Sequence, residues 1–339
     1  MLLDGIFLPL TTPFHPDGQI NLHKLGANVA HYSRTPAAGM LVLSSLGETD
    51  ALSDQEREAV LEAAIAAAAD EKVMLAGVGG ASVREALRMI GVAEAAGYDA
   101  VVVRTPEFAG EATMKAEVLT YFRMIADSAG VPVVIGTDAP RPMGVELIAE
   151  LARHANVLGV LGPVDVTAIR GMTAEVTREV TVTQIFAAAT RRMLRRSGGA
   201  DGLISAASLT GVGPKDARAA VKTRKKKIGF QVLTSDTARM LDAFAAGAAG
   251  ASPRLGACAP QACCEVWQAF KDGDPALAAE KQDRLVAAAE RMEGWRGVAA
   301  VKHGCDWNGY FGGVARLPVL GLTGEERLAV EGVLVGLHS

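Results

Sequence analysis

A (βα)8 barrel, an α/β fold of the TIM type, is the architecture that this sequence predicts. Three observations carry it. Short apolar runs alternate with alanine-rich stretches along most of the chain. The runs recur roughly every 30 residues, which is the length of one βα unit. There are eight of them, and no G-x-G-x-x-G follows the first, which argues against an open dinucleotide-binding sheet.

The predicted strands are Ile6–Pro13, Met40–Ser45, Val73–Val78, Ala100–Thr105, Pro132–Thr137, Val157–Leu161, Phe230–Thr234 and Ala248–Ser252. Most are apolar without alternation, as expected of parallel strands covered on both faces. Helices are predicted between them, including Ser53–Ala69, Ser82–Ala96, Thr113–Ala129 and Val145–His154. Ser53 with Glu56 and Ser82 with Glu85 have capping-box spacing. Gly39 and Gly97 stand where left-handed C-caps belong.

The period breaks once. From Val157 to Phe230 is 73 residues, about two units. An insertion of about 178–225 is therefore expected between the sixth and seventh strands. Within it Val180–Phe186 and Gly202–Ser208 read as strands and Ala187–Arg196 as a basic helix; a duplicated strand–helix–strand unit is the alternative. Beyond Ser252 only helices are expected: Gln261–Lys271, Pro275–Met292 and Glu325–Leu337. The organisation is thus a barrel over 1–258 and a C-terminal helical region over 259–339.

Half of the 339 residues are hydrophobic and the net charge is −4, so a large core forms readily and no overall basic field invites nucleic acid or a membrane. The basic run Lys222–Lys227 reads as a solvated loop. Cys258, Cys263, Cys264 and Cys305 have no zinc-type spacing and fit buried thiols in a reducing compartment. No signal peptide and no apolar stretch of ~18 residues is seen, so a cytoplasmic protein is expected.

Several motifs, in order, resemble the dihydrodipicolinate synthase and N-acetylneuraminate lyase family. They are Leu10-Thr11-Thr12-Pro13-Phe14; Ser44-Ser45-Leu46-Gly47-Glu48; Gly77-Val78-Gly79 through Glu85-Ala86-Leu87 to Gly97-Tyr98-Asp99-Ala100; and Thr105-Pro106. Lys222-Thr223-Arg224 with Phe230-Gln231-Val232-Leu233, and Asp306-Trp307-Asn308-Gly309-Tyr310-Phe311-Gly312-Gly313 with Arg316-Leu317-Pro318, look closest to the 4-hydroxy-2-oxoglutarate aldolase branch. The resemblance covers nearly the whole chain outside the insertion. It implies a lyase-class barrel, no cofactor, a small 2-oxo acid type ligand, and a homo-oligomer, dimer or tetramer.

The resemblance also implies a strand-6 lysine that condenses with the keto group. The family's Gly-Ile-Lys-Asp falls on Gly159-Val160-Leu161-Gly162, so the lysine position is Leu161. The strand-5 tyrosine position is Gly136. The tyrosine after the strand-4 Thr-Pro falls near Phe108. The second hydroxyl of the carboxylate loop falls on Leu46, leaving Ser45, and the strand-7 glycine becomes Ser235.

Barrel active sites sit at the C-terminal ends of strands. There the sequence offers Thr11, Thr12, Ser44, Ser45, Glu48, Arg104, Glu107, Asp138, Arg141, Ser235, Asp236 and Arg254. Thr12, Ser44, Ser45, Arg104, Arg141 and Ser235 are the candidate substrate-binding set. Arg104 suits two-point binding of a carboxylate, or alternatively an ion pair with Glu107 or Glu48. Glu48 reads as a loop-fixing residue, and Thr11 and Thr12 as either site hydroxyls or loop caps. Asp138, Glu107 and Glu48 lack a His ligand or metal spacing, so no metal is expected. His303 and Cys305 read as packing residues on the C-terminal helices.

Three functional readings stand on these residues. One is a divergent lyase-type enzyme acting on a small carboxylated substrate through acid–base or metal chemistry, without an imine. Another is a non-catalytic ligand-binding or regulatory paralogue. The third is an aldolase with a relocated lysine, from Lys215, Lys222 or Lys225 to Lys227.

Overall fold

The computed structural model describes residues 1–80, 82–106, 115–137, 143–196, 221–294 and 297–337. Eight parallel strands close a barrel: β1 (Gly5–Pro9), β2 (Gly39–Val42), β3 (Val73–Val78), β4 (Ala100–Arg104), β5 (Val133–Gly136), β6 (Val157–Gly162), β9 (Gln231–Thr234) and β10 (Gly250–Ala251). Each overlaps one predicted strand. The order around the barrel is β1-β10-β9-β6-β5-β4-β3-β2.

The runs look uniformly apolar because the pleat sends alternate residues into two different cores. Phe7, Leu41, Leu75, Val102, Val134 and Leu233 fill the barrel interior. Their neighbours Leu8, Val42, Ala76, Val103, Ile135 and Val232 pack against the surrounding helices. Those helices are α1 (Leu22–Tyr32), α2 (Asp54–Ala67), α3 (Val83–Ala96), α4 (Lys115–Ser128), α5 (Val145–Leu151), α6 (Val166–Met172) and α8 (Met240–Ala245).

Ser53 and Glu56 form a full reciprocal capping box on α2. Ser82 accepts from the Glu85 amide, but the return bond is not made. Gly97 caps α3 at φ +102°. Gly39 is not a cap. It begins β2, and a Cβ there would meet the Val73 carbonyl oxygen at 2.1 Å, so close backbone approach explains the glycine.

The insertion closes the N-terminal end of the barrel, away from the mouth. Strands β7 (Thr177–Thr183) and β8 (Thr223–Gly229) form an antiparallel pair, and α7 (Arg191–Arg196) follows the first of them. Val180 and Val182 join Leu2, Leu3 and Phe7 in the interior core. Polar contacts tie the insertion to the loops that precede strands. Arg178 donates to the Ala152, His154 and Ala155 carbonyls after α5. Thr190 Oγ1 donates to the Asp70 carbonyl. Asp99, itself buried, accepts from the Arg191 amide at 2.6 Å and the Met74 amide at 2.9 Å.

Two expectations need correction here. The basic run Lys222–Lys227 is not a loop, since most of it is β8. The insertion helix is shorter than expected and begins at Arg191. The predicted strand Gly202–Ser208 and Lys215 lie outside the described residues.

The C-terminal helices are α9 (Pro260–Lys271), α10 (Pro275–Glu293), α11 (Val298–Trp307) and α12 (Gly324–Leu334). They pack on the barrel rather than apart from it. Gln282 of α10 donates to the Thr237 and Ala238 carbonyls at 3.0 Å each. Glu293 accepts from Thr237 Oγ1 and the Leu255 amide. Cys258, Cys263, Cys264 and Cys305 are all free and buried, and burial pushes each thiol up, as expected of inert thiols. Among the described residues no helix is long and apolar enough to cross a membrane.

Candidate functional site

The mouth of the barrel is shaped first by the turn after β2. Leu43 (φ +60°) and Glu48 (φ +55°) both adopt the left-handed region, which costs a non-glycine residue about 1–3 kcal/mol unless its surroundings enforce it. The surroundings do so here. Thr12 Oγ1 donates to the Gly47 carbonyl at 2.7 Å, and Thr49 Oγ1 to the Ser44 carbonyl at 2.9 Å. Glu48 Oε2 accepts from the Arg316 amide at 2.8 Å. Its Oε1 lies 2.5 Å from Lys302 Nζ, in an ion pair whose side chains are 5% and 1% exposed.

Lys302 also donates to the Val314 carbonyl and lies over the Phe14 ring. Burial holds its ammonium below the ordinary lysine value, with Glu48 opposing. Glu48 is therefore the loop-fixing residue expected. Thr12 braces the same loop with its hydroxyl proton. Thr11 is buried, and among the described residues its Oγ1 has no hydrogen-bond partner. Lys302 was not singled out by sequence reasoning.

The braced turn presents two serines. Ser44 Oγ is buried and makes no hydrogen bond among the described residues, and Ser45 is exposed. A third hydroxyl, Ser252 Oγ, is also buried without a partner, just beyond β10. Ala251 packs outward, so the pleat turns Ser252 toward the barrel axis. In the sequence Ser252 carries only the signal of a strand end.

Arg104 ends β4 in register with Ala100 and Val102, which face the interior. Its guanidinium binds Asp50 through two bonds, at 3.0 and 2.6 Å. Among the described residues the carboxylate it binds is thus Asp50 of the mouth turn rather than Glu48, and Glu107 lies outside them. The bond from Arg104 holds the Asp50 carboxyl below the usual range. Arg104 is 25% exposed and Asp50 73%, so the pair is open to competition by another carboxylate.

The opposite wall is apolar. Leu161 belongs to the interior core and is 7% exposed. It pairs with Gly136 of β5 on one side and Leu233 of β9 on the other. Beyond β9, the Ser235 amide donates to the Gly162 carbonyl at 3.4 Å. Asp236 caps the following turn by accepting from the Arg239 amide. Arg254 stands near Glu293, whose carboxyl is raised by burial. Glu107, Phe108, Asp138 and Arg141 lie outside the described residues. Among the described residues no group of three His, Cys, Asp or Glu side chains is placed to hold a metal ion.

No barrel strand carries a lysine, and Arg104 is the sole ionisable side chain on any of the eight. Lys225 to Lys227 stand on β8, at the other end of the barrel, with Lys222 just before them. Lys302 is enclosed by Glu48, Val314 and Phe14.

Arg316 ties the C-terminal region to this end of the barrel. It grips Glu56 at 2.7 and 2.9 Å and also donates to the Gly18 and Ala51 carbonyls. The Arg316 bond lowers Glu56 to about 2. A folded pKa below the unfolded one adds stability above the unfolded value, lost as pH falls toward the folded one. Glu56→Gln should therefore lower stability at pH 7 by about 1 kcal/mol, discounted for solvent screening. The difference should vanish as pH falls from the ordinary carboxylate range toward 2, which parallel denaturation curves would show.

Comparison with known proteins agrees with this geometry. The model of the dihydrodipicolinate synthetase family matches residues 2–225. A 4-hydroxy-tetrahydrodipicolinate synthase of Acidiphilium cryptum (strain JF-5) is 25% identical over 339 residues, covering 99% of each chain. One from Xanthomonas campestris pv. campestris is 32% identical over 216 residues, 61% of this chain and 69% of its own. Among solved structures, dihydrodipicolinate synthase of Aquifex aeolicus superposes with a TM-score of 0.77 at 20% identity, covering 98% of each chain. YagE, a prophage protein of Escherichia coli K12 solved in complex with pyruvate, superposes with a TM-score of 0.78 at 21% identity, covering 99% of each. With the barrel, its mouth and the family match in agreement over two-thirds of its length, the chain belongs to the dihydrodipicolinate synthetase family.

Proposed function

We propose that the barrel mouth binds a small carboxylated ligand of the 2-oxo acid type, as a lyase- or aldolase-like protein that does not form a Schiff base. The observation that carries the reading is Leu161, an apolar side chain facing the interior where the family resemblance puts the lysine. An alkyl group forms no imine, and the neighbouring strands supply no substitute amine.

The ligand carboxylate exchanges with Asp50 on Arg104, whose guanidinium fits it at two points. Ser44 and Ser252 hydroxyls, buried and unpaired, donate to its remaining oxygens. Leu161 and Leu233 contact its apolar carbon. The pyruvate bound in the complex of YagE, a structural neighbour, supports that class of ligand.

A second reading has its own support. With Arg104 the sole ionisable group on the barrel strands, no strand residue is available as general acid or base. That favours a non-catalytic binding or regulatory paralogue of an active relative. The finer features, a cytoplasmic homo-oligomer without a cofactor, follow from the family resemblance.

Borohydride treatment in the presence of pyruvate, and separately of 4-hydroxy-2-oxoglutarate, tests the reading by intact mass. No covalent adduct is expected, while pyruvate raises the melting temperature. An adduct mapped to any lysine would overturn it and identify a relocated nucleophile. Turnover of a 2-oxo acid without an adduct would decide for the enzyme over the binding paralogue.

A further inference from the structure

A block of basic residues with almost no acidic counterpart lies at one end of this protein. Over 178–196 and 222–227 the chain carries ten Lys or Arg against one carboxylate, Glu179. That segment is net +9 in a chain of net −4, so the remainder is −13. The overall charge argued against a polyanionic partner, but it conceals two oppositely charged parts.

Part of this charge is structural. Arg178, Arg191, Arg192 and Arg196 are occupied with carbonyls or carboxylates at the barrel end. Most of the rest is not: among the described residues Lys222, Arg224, Lys225, Lys226 and Lys227 form no ion pair, and all but the half-buried Lys226 are exposed. Their only described polar contacts are Arg224 to the Gln184 carbonyl and Lys225 to Thr181 Oγ1.

Beside these cations the turn after β7 exposes two large apolar side chains in succession. Ile185 is 85% exposed and Phe186 51%, the latter at φ +62°. Among the described residues Ile185 is the most exposed large hydrophobic. An apolar tip flanked by unpaired cations matches the composition of an element that lies in the interface of an anionic bilayer.

We propose that the β7–β8 hairpin docks the protein on an anionic lipid surface, with Ile185 and Phe186 entering the headgroup region and the lysines of β8 facing the lipid phosphates and carboxylates. Single-stranded nucleic acid fits less well. Base stacking needs a free aromatic face, and the Phe186 ring is covered by the Arg224 guanidinium at 3.1 Å, with Lys226 at 5.7 Å. Ile185 has no stacking role at all. The acidic remainder of the molecule repels the same surface and so orients it. Because the hairpin closes the N-terminal end of the barrel, the mouth then points into water.

The test is flotation of the whole protein with vesicles of phosphatidylcholine alone and with about one-third phosphatidylserine. Binding to the mixed vesicles alone is expected, weakening as salt is raised. Lys225→Glu/Lys227→Glu should abolish it, each removed lysine alone being worth about fivefold in partitioning. Ile185→Ser/Phe186→Ser should leave a weaker association that salt fully removes. Melting curves of both variants establish that they fold. If the charge variant does not, the tip variant carries the test. Failure of the native protein to float with anionic vesicles at low salt would overturn the proposal. So would flotation unchanged in both variants, or tighter binding to a single-stranded oligonucleotide that the tip variant leaves intact.

Discussion

Leu161→Lys is expected to acquire pyruvate-dependent borohydride trapping, near one adduct per chain where the native protein shows none. The side chain at this position points into the barrel beside Gly136 and Leu233, with Val102 and Val134 in the same core. No barrel strand supplies a carboxylate to hold an ammonium there, and Arg104 adds a like charge at the mouth. Both desolvation and that charge lower an amine's pKa, and the neutral amine is the nucleophile. Its nitrogen adds to the keto carbon of pyruvate, water leaves, and hydride reduces the resulting C=N bond to a stable amine. Gly136 has room for little more than the buried backbone it carries, since a Cβ there would meet Val102 Cγ1 at 3.0 Å. The variant should therefore trap pyruvate but turn over slowly, lacking a proton shuttle. A folded variant that pyruvate stabilises but borohydride never traps would show that position 161 is not where the keto group arrives.

Lys302→Met should destabilise the protein by about 3–5 kcal/mol, the cost of leaving one member of a buried ion pair alone. Glu48 keeps 5% exposure and would retain the Arg316 amide but lose its ion-pair partner. Its left-handed conformation would then lack a main restraint, and the Ser44–Gly47 turn would relax. Pyruvate binding should weaken together with stability. Lys302→Met/Glu48→Gln should recover most of the lost stability, because an isosteric neutral pair removes the stranded charge. Chemical denaturation of the single and double variants checks this. Equal losses in both would mean that Lys302 acts through packing against Phe14 instead.

The barrel was legible because its signal is local. Parallel strands buried on both faces give apolar runs at a fixed spacing, and each predicted run overlaps a barrel strand. The insertion was half legible. Val180 and Val182 alternate with polar residues and point into the barrel, so a strand was found there, placed three residues late. Its partner β8 has no such alternation. Polar or charged residues fill both faces from Thr223 to Lys227, and long lysine stems hide the pleat. At the site, local sequence identified Arg104 but not Asp50, 54 residues earlier and in a turn whose form depends on Leu43 and Glu48. Lys302 was invisible for the same reason. It sits among alanines and valines of a helix, and its carboxylate lies 254 residues away.

The hairpin at the base of the barrel also bears on how the chain closes the ring. Before β6 and β9 can pair, the ends of a span from Gly162 to Gln231 must meet. Thr177 pairs with Gly229, so once the hairpin exists the connection still to be drawn together is the short stretch on either side of it. Loop closure costs only about 0.6 kcal/mol per doubling of length, so the detour is thermodynamically mild. Its kinetic meaning follows from contact order: Thr183 and Thr223 are closer in sequence than Gly162 and Thr234, so forming β7–β8 first shortens the closure that β6–β9 then requires. Folding order would then run from β7–β8 to β6–β9, the seam being sealed from the base upward.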